Sequence, residues 1–233
     1  FCLSRGLGDV YKRQVSLVTN GTLLRPIASG LRDAGLKRVN VSLHSLDRES
    51  YRRIAGKDQL KAVEEGIDAA LENELRPVKL NVVVLRGIND SEVSGMIDFA
   101  AEKGAILQLI ELQRIDGDEW FESSYLDLSS LEAKLQKEAE RVRERAFQRR
   151  RKYLLQRGGK RVEVEIVRPM HNTAFCMNCT RLRTTSDGRL KPCLMRNDNL
   201  VEFVSLLRGG AGERQLSEAF KEAIRRREPY WKG

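Results

Sequence analysis

The sequence predicts an α/β fold in which an incomplete barrel or open sheet is followed by a smaller C-terminal α+β region. From residue 15 onward, four β-branched runs are each followed by sequence with helical periodicity. Strands that alternate with helices indicate parallel βαβ units with right-handed crossovers. Near residue 115 the alternation stops, and four units are too few to close an eight-stranded barrel.

The first half of the chain carries the clearest strand and helix signals. Strands are predicted over VSLVTN, RVNVSL, PVKLNVVVL and AILQLIEL. Helices are predicted over LLRPIASGLRDAG, KAVEEGIDAALENE and SEVSGMIDFAAEKG, where apolar residues recur at intervals of three and four. Because ligands of such sheets gather at the carboxyl ends of the strands, we expect the site near residues 19–21, 42–45, 85–90 and 111–113.

The second half begins with a different pattern. The spacing Ser129-x-x-Glu132 predicts a capping box that opens a long basic helix ending at Gly158-Gly159. A strand at RVEVEIV, a cysteine segment and two amphipathic helices around LVEFVSLLR and LSEAFKEAIRRR follow. We predict a barrel domain at 15–127 and a C-terminal domain at 128–233. Residues 1–14, which include Cys2, show neither the helical nor the strand periodicity of apolar residues, and they are interpreted as a non-native leader.

Composition and charge limit the possible classes of protein. With 233 residues, 41% hydrophobic and 32% charged, the chain is predicted to be globular rather than disordered. No long apolar run or secretory signal is present, so we expect a cytoplasmic protein that does not bind membranes. The net charge of +9 favours polyanionic partners, although much of it lies in the predicted basic helix at 141–157, which is more typical of a solvated helix face.

Three of the four cysteines lie in one segment, FCMNCTRLRTTSDGRLKPCLM, as C-x2-C-x13-C at Cys176, Cys179 and Cys193. The Asp187-Gly188 pair between them predicts a hairpin turn. A hairpin places the third cysteine opposite residue 182, or opposite residue 181 after a one-residue slip. In either register the three thiols are predicted to converge.

Two metal sites are compatible with this spacing. A structural zinc site needs a fourth ligand, which His171 could supply. An iron–sulfur cluster with three cysteines leaves one iron open to an external ligand. Arg181 and Arg183 alternate on one strand face and suit a phosphate group beside such a cluster, or they are simply solvated on a surface hairpin.

Polar residues also occur in and after the predicted barrel strands. Lys79 lies within an apolar strand and shares a face with Asn81 and Val83. A lysine there needs a carboxylate or an anionic ligand, unless it reaches solvent at the strand end. His44 follows a strand and is a candidate base or metal ligand, although a lone histidine there is more typical of packing or hydrogen bonding.

Taken together, the chain resembles the radical S-adenosylmethionine GTP 3′,8-cyclases of molybdenum-cofactor biosynthesis from about Val15 to near its end. The matching segments are TNGTLL, LRDAGLKRVNVSLHSLD, GIDAALENELRPVKLNVVVLRGIND, IELQ and FCMNCTRLRTTSDGRLKPCLMRNDN. The resemblance implies an incomplete (β/α)6 barrel whose [4Fe–4S] cluster cleaves S-adenosylmethionine. It also implies a C-terminal region with a second [4Fe–4S] cluster that binds GTP through its open iron.

The resemblance also implies roles for individual residues. Cys176, Cys179 and Cys193 would ligate the second cluster. Lys79, Arg181, Leu182 and Arg183 would contact GTP, and Ser42 and Gln113 would contact S-adenosylmethionine. In this family a 5′-deoxyadenosyl radical abstracts the ribose 3′-hydrogen of GTP, which gives 3′,8-cyclo-7,8-dihydro-GTP. Cyclic pyranopterin monophosphate synthase acts next in the pathway, and we expect a homodimer and no nucleic-acid partner.

The chain departs from the family pattern in several places. No C-x3-C-x2-C motif occurs in the sequence, so we expect the first barrel units and the radical-generating cluster to be missing and the chain as given not to turn over. Val18, His44 and Gln113 stand where many members have threonine, aspartate and methionine, and the chain ends on a single glycine, Gly233.

Two alternatives to the cyclase remain at this point. One is another radical S-adenosylmethionine enzyme with an auxiliary cluster, against which the R-x-R after the second cysteine argues. The other is a zinc-ribbon module that binds nucleic acid through the basic helix, which is poor in the aromatic residues such surfaces usually carry.

Overall fold

The computed structural model describes residues 15–114 and 119–228. The predicted leader at 1–14, with Cys2, and the terminal Gly233 lie outside the described residues. The chain divides into two compact units. We call them the sheet unit (15–112, 122–143 and 151–167) and the cysteine unit (113–114, 119–121, 144–150 and 168–228). Within these described ranges, no helix is long and apolar enough to cross a membrane.

A mostly parallel sheet forms the centre of the sheet unit, which confirms the predicted α/β class. Its strands, among the described residues, are β1 (Ser16–Thr19), β2 (Arg38–Ser42), β3 (Val78–Val84), β4 (Ile106–Glu111), β5 (Arg141–Glu144), β6 (Arg151–Arg157) and β7 (Lys160–Val167). Their order is β1-β2-β3-β4-β7-β6-β5. Strands β1 to β4 and β7 are parallel neighbours, whereas β6 pairs with β7 in the antiparallel direction.

Helices connect these strands. The longer helices are α1 (Leu24–Asp33), α2 (Arg48–Ala55), α3 (Leu60–Glu72), α4 (Val93–Lys103), α5 (Glu119–Ser124) and α6 (Ser129–Glu138). Periodicity predicted three of them, α1, α3 and α4. Alternate strand residues such as Val41, Leu80 and Leu107 are buried in one core with apolar residues of α1, α3 and α4. Each fully buried side chain of this kind contributes about 1.5–3 kcal/mol.

The opposite face of the sheet carries a row of polar residues, which we call the polar row. Register pairs Ser42 of β2 with Asn81 of β3, and Asn81 with Gln108 of β4. Gln108 in turn pairs with Glu165 of β7, and Glu165 with Lys152 of β6. Since a strand alternates its side chains, Lys79 lies on the same face, two residues before Asn81.

The predicted basic helix at 141–157 is wrong, because this segment forms β5, a short 3-10 turn and β6. In β6, Tyr153 and Leu155 are buried and their neighbours are more exposed, which is the period of a strand. Gly158 and Gly159 have φ values of 54° and 77° and form the two-residue turn to β7. The helix with which a nucleic-acid-binding module would contact phosphates is therefore not formed.

The predicted capping box is also absent. Helix α6 has Leu128 at its N-cap position, without a side-chain capping bond. Asp127 accepts from the Ser129 N–H at 2.7 Å, and Glu132 instead accepts from the Tyr153 hydroxyl at 2.8 Å. Because α6 and β5 to β7 pack into the sheet unit, the division of the structure does not fall at the predicted boundary of residues 127 and 128.

The cysteine unit is smaller and less regular. Its elements include α7 (Thr173–Met177), β8 (Arg183–Thr184), β9 (Leu190–Lys191), α8 (Val204–Arg208) and α9 (Glu213–Arg225). A small core contains Leu190, Val201, Ala219 and Ala223, with Leu182 and Phe203 packed against it. Helices α8 and α9 overlap the two segments that were predicted to be amphipathic helices.

Candidate functional site

The loops that follow β2 and β3 are joined by the buried side chain of Asn89. Its Nδ2 donates to the carbonyls of His44 at 2.6 Å and Val83 at 2.8 Å, and its Oδ1 accepts from the Leu85 N–H at 2.7 Å. An amide whose hydrogen-bonding groups are met in this way rigidifies the loops it connects. The carboxyl ends of the two strands are therefore held at one edge of the sheet.

Glu92 makes a second connection between the same loops. Its carboxylate accepts from the Ser45 hydroxyl at 2.8 Å and from the Leu46 N–H at 2.8 Å. Sequence reasoning did not identify Asn89 or Glu92 as important, although Asn89 lies in the LRGIND loop that it did single out. Their partners come from another loop, so no local pattern could have indicated them.

His44 acts as a hydrogen-bonding residue. Its Nδ1 accepts from the Val83 backbone N–H at 3.2 Å, so the neutral ring carries its proton on Nε2. Burial lowers the pKa of His44 below its ordinary value of 6.5. This geometry favours the hydrogen-bonding interpretation over that of a base or metal ligand.

The lowered pKa of His44 predicts a pH dependence of stability. Above pH 6.5 the ring is neutral in both states, but below it the unfolded chain binds the proton first, so the free energy of unfolding falls. His44→Gln keeps an acceptor and does not titrate. Between about pH 7.5 and pH 5.5, the wild type should lose more stability than this variant in urea unfolding, by at most about 1.4 kcal/mol.

The exposed His171 provides the matched control for that experiment. His171→Gln should keep the wild-type pH dependence, because it leaves the buried ring in place. If wild type and His44→Gln lose stability equally over the same range, the assigned role of His44 is wrong.

Lys79 has a carboxylate partner in the polar row. Its Nζ lies 2.9 Å from Glu165, which also contacts Lys152 at 3.0 Å and accepts from Gln108 at 2.8 Å. Burial opposes ionisation of Glu165, yet the two lysines hold its pKa at about 2. The carboxylate that a lysine at this position requires is thus supplied by β7, and Lys79 is not a strand-end lysine that reaches solvent.

The two residues expected to contact S-adenosylmethionine lie in different units. Ser42 ends β2 on the polar face and is half-buried. Gln113 follows β4, is also half-buried and belongs to the cysteine unit. Strand β4 and its pairing with β3 both end at Glu111. The strand geometry therefore does not assign Gln113 to the polar face.

The first two cysteines lie at the end of α7. Asn172 caps this short helix by accepting from the Phe175 N–H at 3.0 Å. Cys176 lies in its last turn, and the Cys179 N–H donates to the Cys176 carbonyl at 3.2 Å. The third cysteine, Cys193, follows β9, and all three are partly exposed with free thiols.

The predicted hairpin between the cysteines is confirmed. Arg183 of β8 pairs with Lys191 of β9, and counting two residues further places Cys193 across from Arg181, one of the two predicted registers. The turn requires glycine, because Gly188 has a φ of 82° and an added Cβ would lie 2.4 Å from the Cβ of Val204.

Arg183 is influenced electrostatically by other guanidiniums and by two of the thiols. Its pKa is lowered by burial and by the positive charges of Arg181 and Arg227, whereas Cys179 and Cys193 act in the opposite direction. Arginines that crowd together beside thiols form a site suited to an anion. Arg227, two residues after the end of α9, was not identified from the sequence.

Cys179 has surroundings that favour the thiolate. Burial would raise its pKa, but the net shift is downward because the Arg181 backbone N–H, the Gln148 amide and the positively charged Arg227 favour the thiolate. The Gln148 Nε2 lies 3.4 Å from Sγ. Gln148, which is distant in sequence, was also missed.

The candidate ligands Cys176, Cys179, Cys193 and His171 bear on the two metal sites that the sequence allows. In the described part of the chain, no group of three or more His, Cys, Asp and Glu side chains lies within reach of one metal ion. The three thiols that were predicted to converge are therefore not within reach of one metal ion in this arrangement, with or without His171. Three partly exposed thiols, one of them in surroundings that favour the thiolate, suit iron–sulfur ligation in their chemistry.

Comparison with known proteins identifies relatives over nearly the whole chain. Residues 105–233 match the family model described as Molybdenum Cofactor Synthesis C, and residues 5–100 match the Radical SAM superfamily. A protein of Thermococcus kodakarensis is 49% identical over 95% of this chain and 73% of its own length. Proteins of Pyrococcus abyssi and Methanothermobacter thermautotrophicus are each 50% identical, over 95% and 97% of this chain and 73% of their own lengths.

All three relatives carry the name "Probable GTP 3′,8-cyclase". The mixed α/β architecture with a mostly parallel sheet agrees with the Radical SAM match. The chain therefore belongs to the radical S-adenosylmethionine family of molybdenum-cofactor synthesis proteins whose curated members are named GTP 3′,8-cyclases.

Proposed function

We propose that this protein acts in molybdenum-cofactor biosynthesis as a GTP 3′,8-cyclase, which converts GTP to 3′,8-cyclo-7,8-dihydro-GTP. The observation that carries the proposal is the hairpin of the cysteine unit, where Arg183 lies among other guanidiniums and the thiols of Cys179 and Cys193. Family membership supports the same activity. S-adenosylmethionine and [4Fe–4S] chemistry would supply the radical. The protein would orient the substrate and supply the charges that bind it.

Cys176, Cys179 and Cys193 would hold a [4Fe–4S] cluster. Three thiolates leave one iron for an external ligand. The first two come from α7 and the residues after it, and the third from the end of the hairpin. This arrangement connects two short segments, so binding of the cluster would also stabilise the fold of the cysteine unit.

GTP binding would use Arg181, Leu182 and Arg183. Leu182 packs against the small core, and Arg181 and Arg183 are its neighbours on either side in the chain. Guanidiniums are suited to phosphate oxygens because they present paired N–H donors. Arg183 has no carboxylate partner within the part of the chain that the structure describes, so its charge is available to an anion.

Lys79 would contact GTP in a different manner. Its charge is already compensated by Glu165 at 2.9 Å. We therefore expect Lys79 to act as an oriented hydrogen-bond donor, because the carboxylate fixes the ammonium and removes most of its net attraction for phosphate.

The polar face of the sheet would be the interior of an incomplete (β/α)6 barrel. Ser42 lies on this face, and Ser42 and Gln113 would contact S-adenosylmethionine. The C-terminal domain would carry the auxiliary cluster. Cyclic pyranopterin monophosphate synthase would consume the product. The protein would form a homodimer.

Anaerobic reconstitution with iron and sulfide tests the cluster and the substrate together. The wild type should become brown, absorb broadly near about 400 nm and hold about four irons per chain. Addition of GTP should change its electron paramagnetic resonance spectrum. Arg183→Gln should weaken this response to GTP by at least about tenfold in concentration, because it removes a charge-assisted contact.

Arg208→Gln is the matched control, since it removes an exposed arginine of α8 in the same unit. It should respond to GTP as the wild type does. A colourless protein with one zinc would contradict the cluster assignment, and a spectrum that saturating GTP leaves unchanged would contradict the substrate assignment.

A further inference from the structure

Gln148 combines three unfavourable features in one residue. It is only 3% exposed, and its Oε1 is buried without a hydrogen-bond partner. Its φ of 58° lies in the left-handed region, as does the φ of 48° at Arg149. A buried unpaired polar atom and a strained backbone each cost about 1–3 kcal/mol. Features that break local rules in this way are concentrated at functional positions.

The strained turn brings Gln148 against the segment between the first two cysteines. Its backbone N–H donates to the Asn178 carbonyl at 2.8 Å, and its side-chain Nε2 donates to Cys179 Sγ at 3.4 Å. Asn178 and Cys179 are consecutive, so Gln148 binds the main chain and the sulfur of one short loop. The buried amide that costs this free energy is thus the one that contacts the Cys179 thiol.

We propose that Gln148 is a positioning residue for the auxiliary cluster, whose amide N–H holds the Cys179 thiolate in place and raises the reduction potential of the cluster. This inference rests on the proposed function. When the cluster takes up one electron from an external reductant, the added negative charge spreads over its sulfurs. An N–H donor on a ligating sulfur stabilises that reduced form more than the oxidised form, and burial strengthens the effect.

The test is an anaerobic reductive titration with dithionite, followed by electron paramagnetic resonance without S-adenosylmethionine or GTP. The chain has four cysteines, so one cluster accounts for the signal. Gln148→Leu removes the donor and also the unpaired oxygen. At a fixed potential we expect its ratio of reduced to oxidised cluster to fall about tenfold. For a one-electron couple this corresponds to a midpoint about 59 mV lower.

Gln156→Leu is the matched control, because Gln156 is an exposed glutamine of β6. Its midpoint should equal that of the wild type. Gln148→Asn keeps an amide but shortens the side chain by one methylene, and it provides the same measurement if Gln148→Leu does not fold. Loss of iron from a Gln148 variant whose circular dichroism is unchanged would also support the positioning role.

Two results would overturn the inference, and they have different meanings. A Gln148 variant with a full cluster and the wild-type midpoint overturns the role of Gln148 and leaves the proposed function intact. A wild type that binds no iron and sulfide overturns the cluster, and the role of Gln148 with it.

Discussion

Gly66→Ala is expected to destabilise the protein by about 3 kcal/mol or more, since core overpacking costs this much when no neighbour can move. Gly66 lies in α3, and an added Cβ would lie 2.2 Å from the carbonyl oxygen of Gly21 and 3.1 Å from Leu24 Cβ. The closest atom is backbone, in the turn that follows β1. Gly21 has a φ of 84° and its own added Cβ would lie 2.7 Å from Val41, so this turn cannot retreat.

Gly95→Ala provides the matched control, because it makes the same change inside α4 where nothing lies within 4 Å of an added Cβ. It should stabilise the protein by about 0.5–1 kcal/mol, the difference in helix propensity. Urea unfolding followed by circular dichroism measures both. Equal stability of Gly66→Ala and the wild type would show that α3 and the turn after β1 do not approach each other this closely.

Glu165→Gln is the second substitution with a large expected effect. It removes the buried carboxylate that Lys79 and Lys152 share, while Lys152 keeps its contact with Glu163. Breaking a buried pair costs about 3–5 kcal/mol, because the remaining charge stays desolvated. We expect a loss of this size in urea unfolding at neutral pH.

The pH dependence of that loss provides an independent check. The pKa of Glu165 is about 2 in the folded state and has an ordinary value of 4.5. Its contribution, about 3 kcal/mol by linkage, is present above pH 4.5 and is lost as the pH falls toward 2. The difference between wild type and Glu165→Gln should therefore shrink in acid.

Glu163→Gln is the control, since it removes the partly exposed partner of Lys152 and should cost less than about 1 kcal/mol. If Glu165→Gln costs no more than Glu163→Gln, or if its effect does not change with pH, the buried carboxylate is not what compensates Lys79.

Local signals in the sequence predicted a large share of the fold. β1 to β4 and helices α1, α3 and α4 follow from runs of β-branched residues and from apolar periodicity, which are local properties. The hairpin after Arg183 follows from Asp187-Gly188 in the same way. The error at 141–157 arose because nine of its residues are Arg, Lys or Glu, which left only Tyr153 and Leu155 to show the strand period.

The candidate site, like the fold, was predicted only where local sequence carries the signal. The sequence by itself determined the cysteines, the R-x-R pair and Lys79 as candidates, because their spacing and residue types are visible along the chain. Only the tertiary structure decided their partners: Glu165 for Lys79, Gln148 for Cys179 and Asn89 for the loops after β2 and β3. Gln148 is 31 positions from Cys179, and Asn89 is 45 positions from His44. Such contacts depend on sheet register and on where loops cross, and no local pattern specifies these.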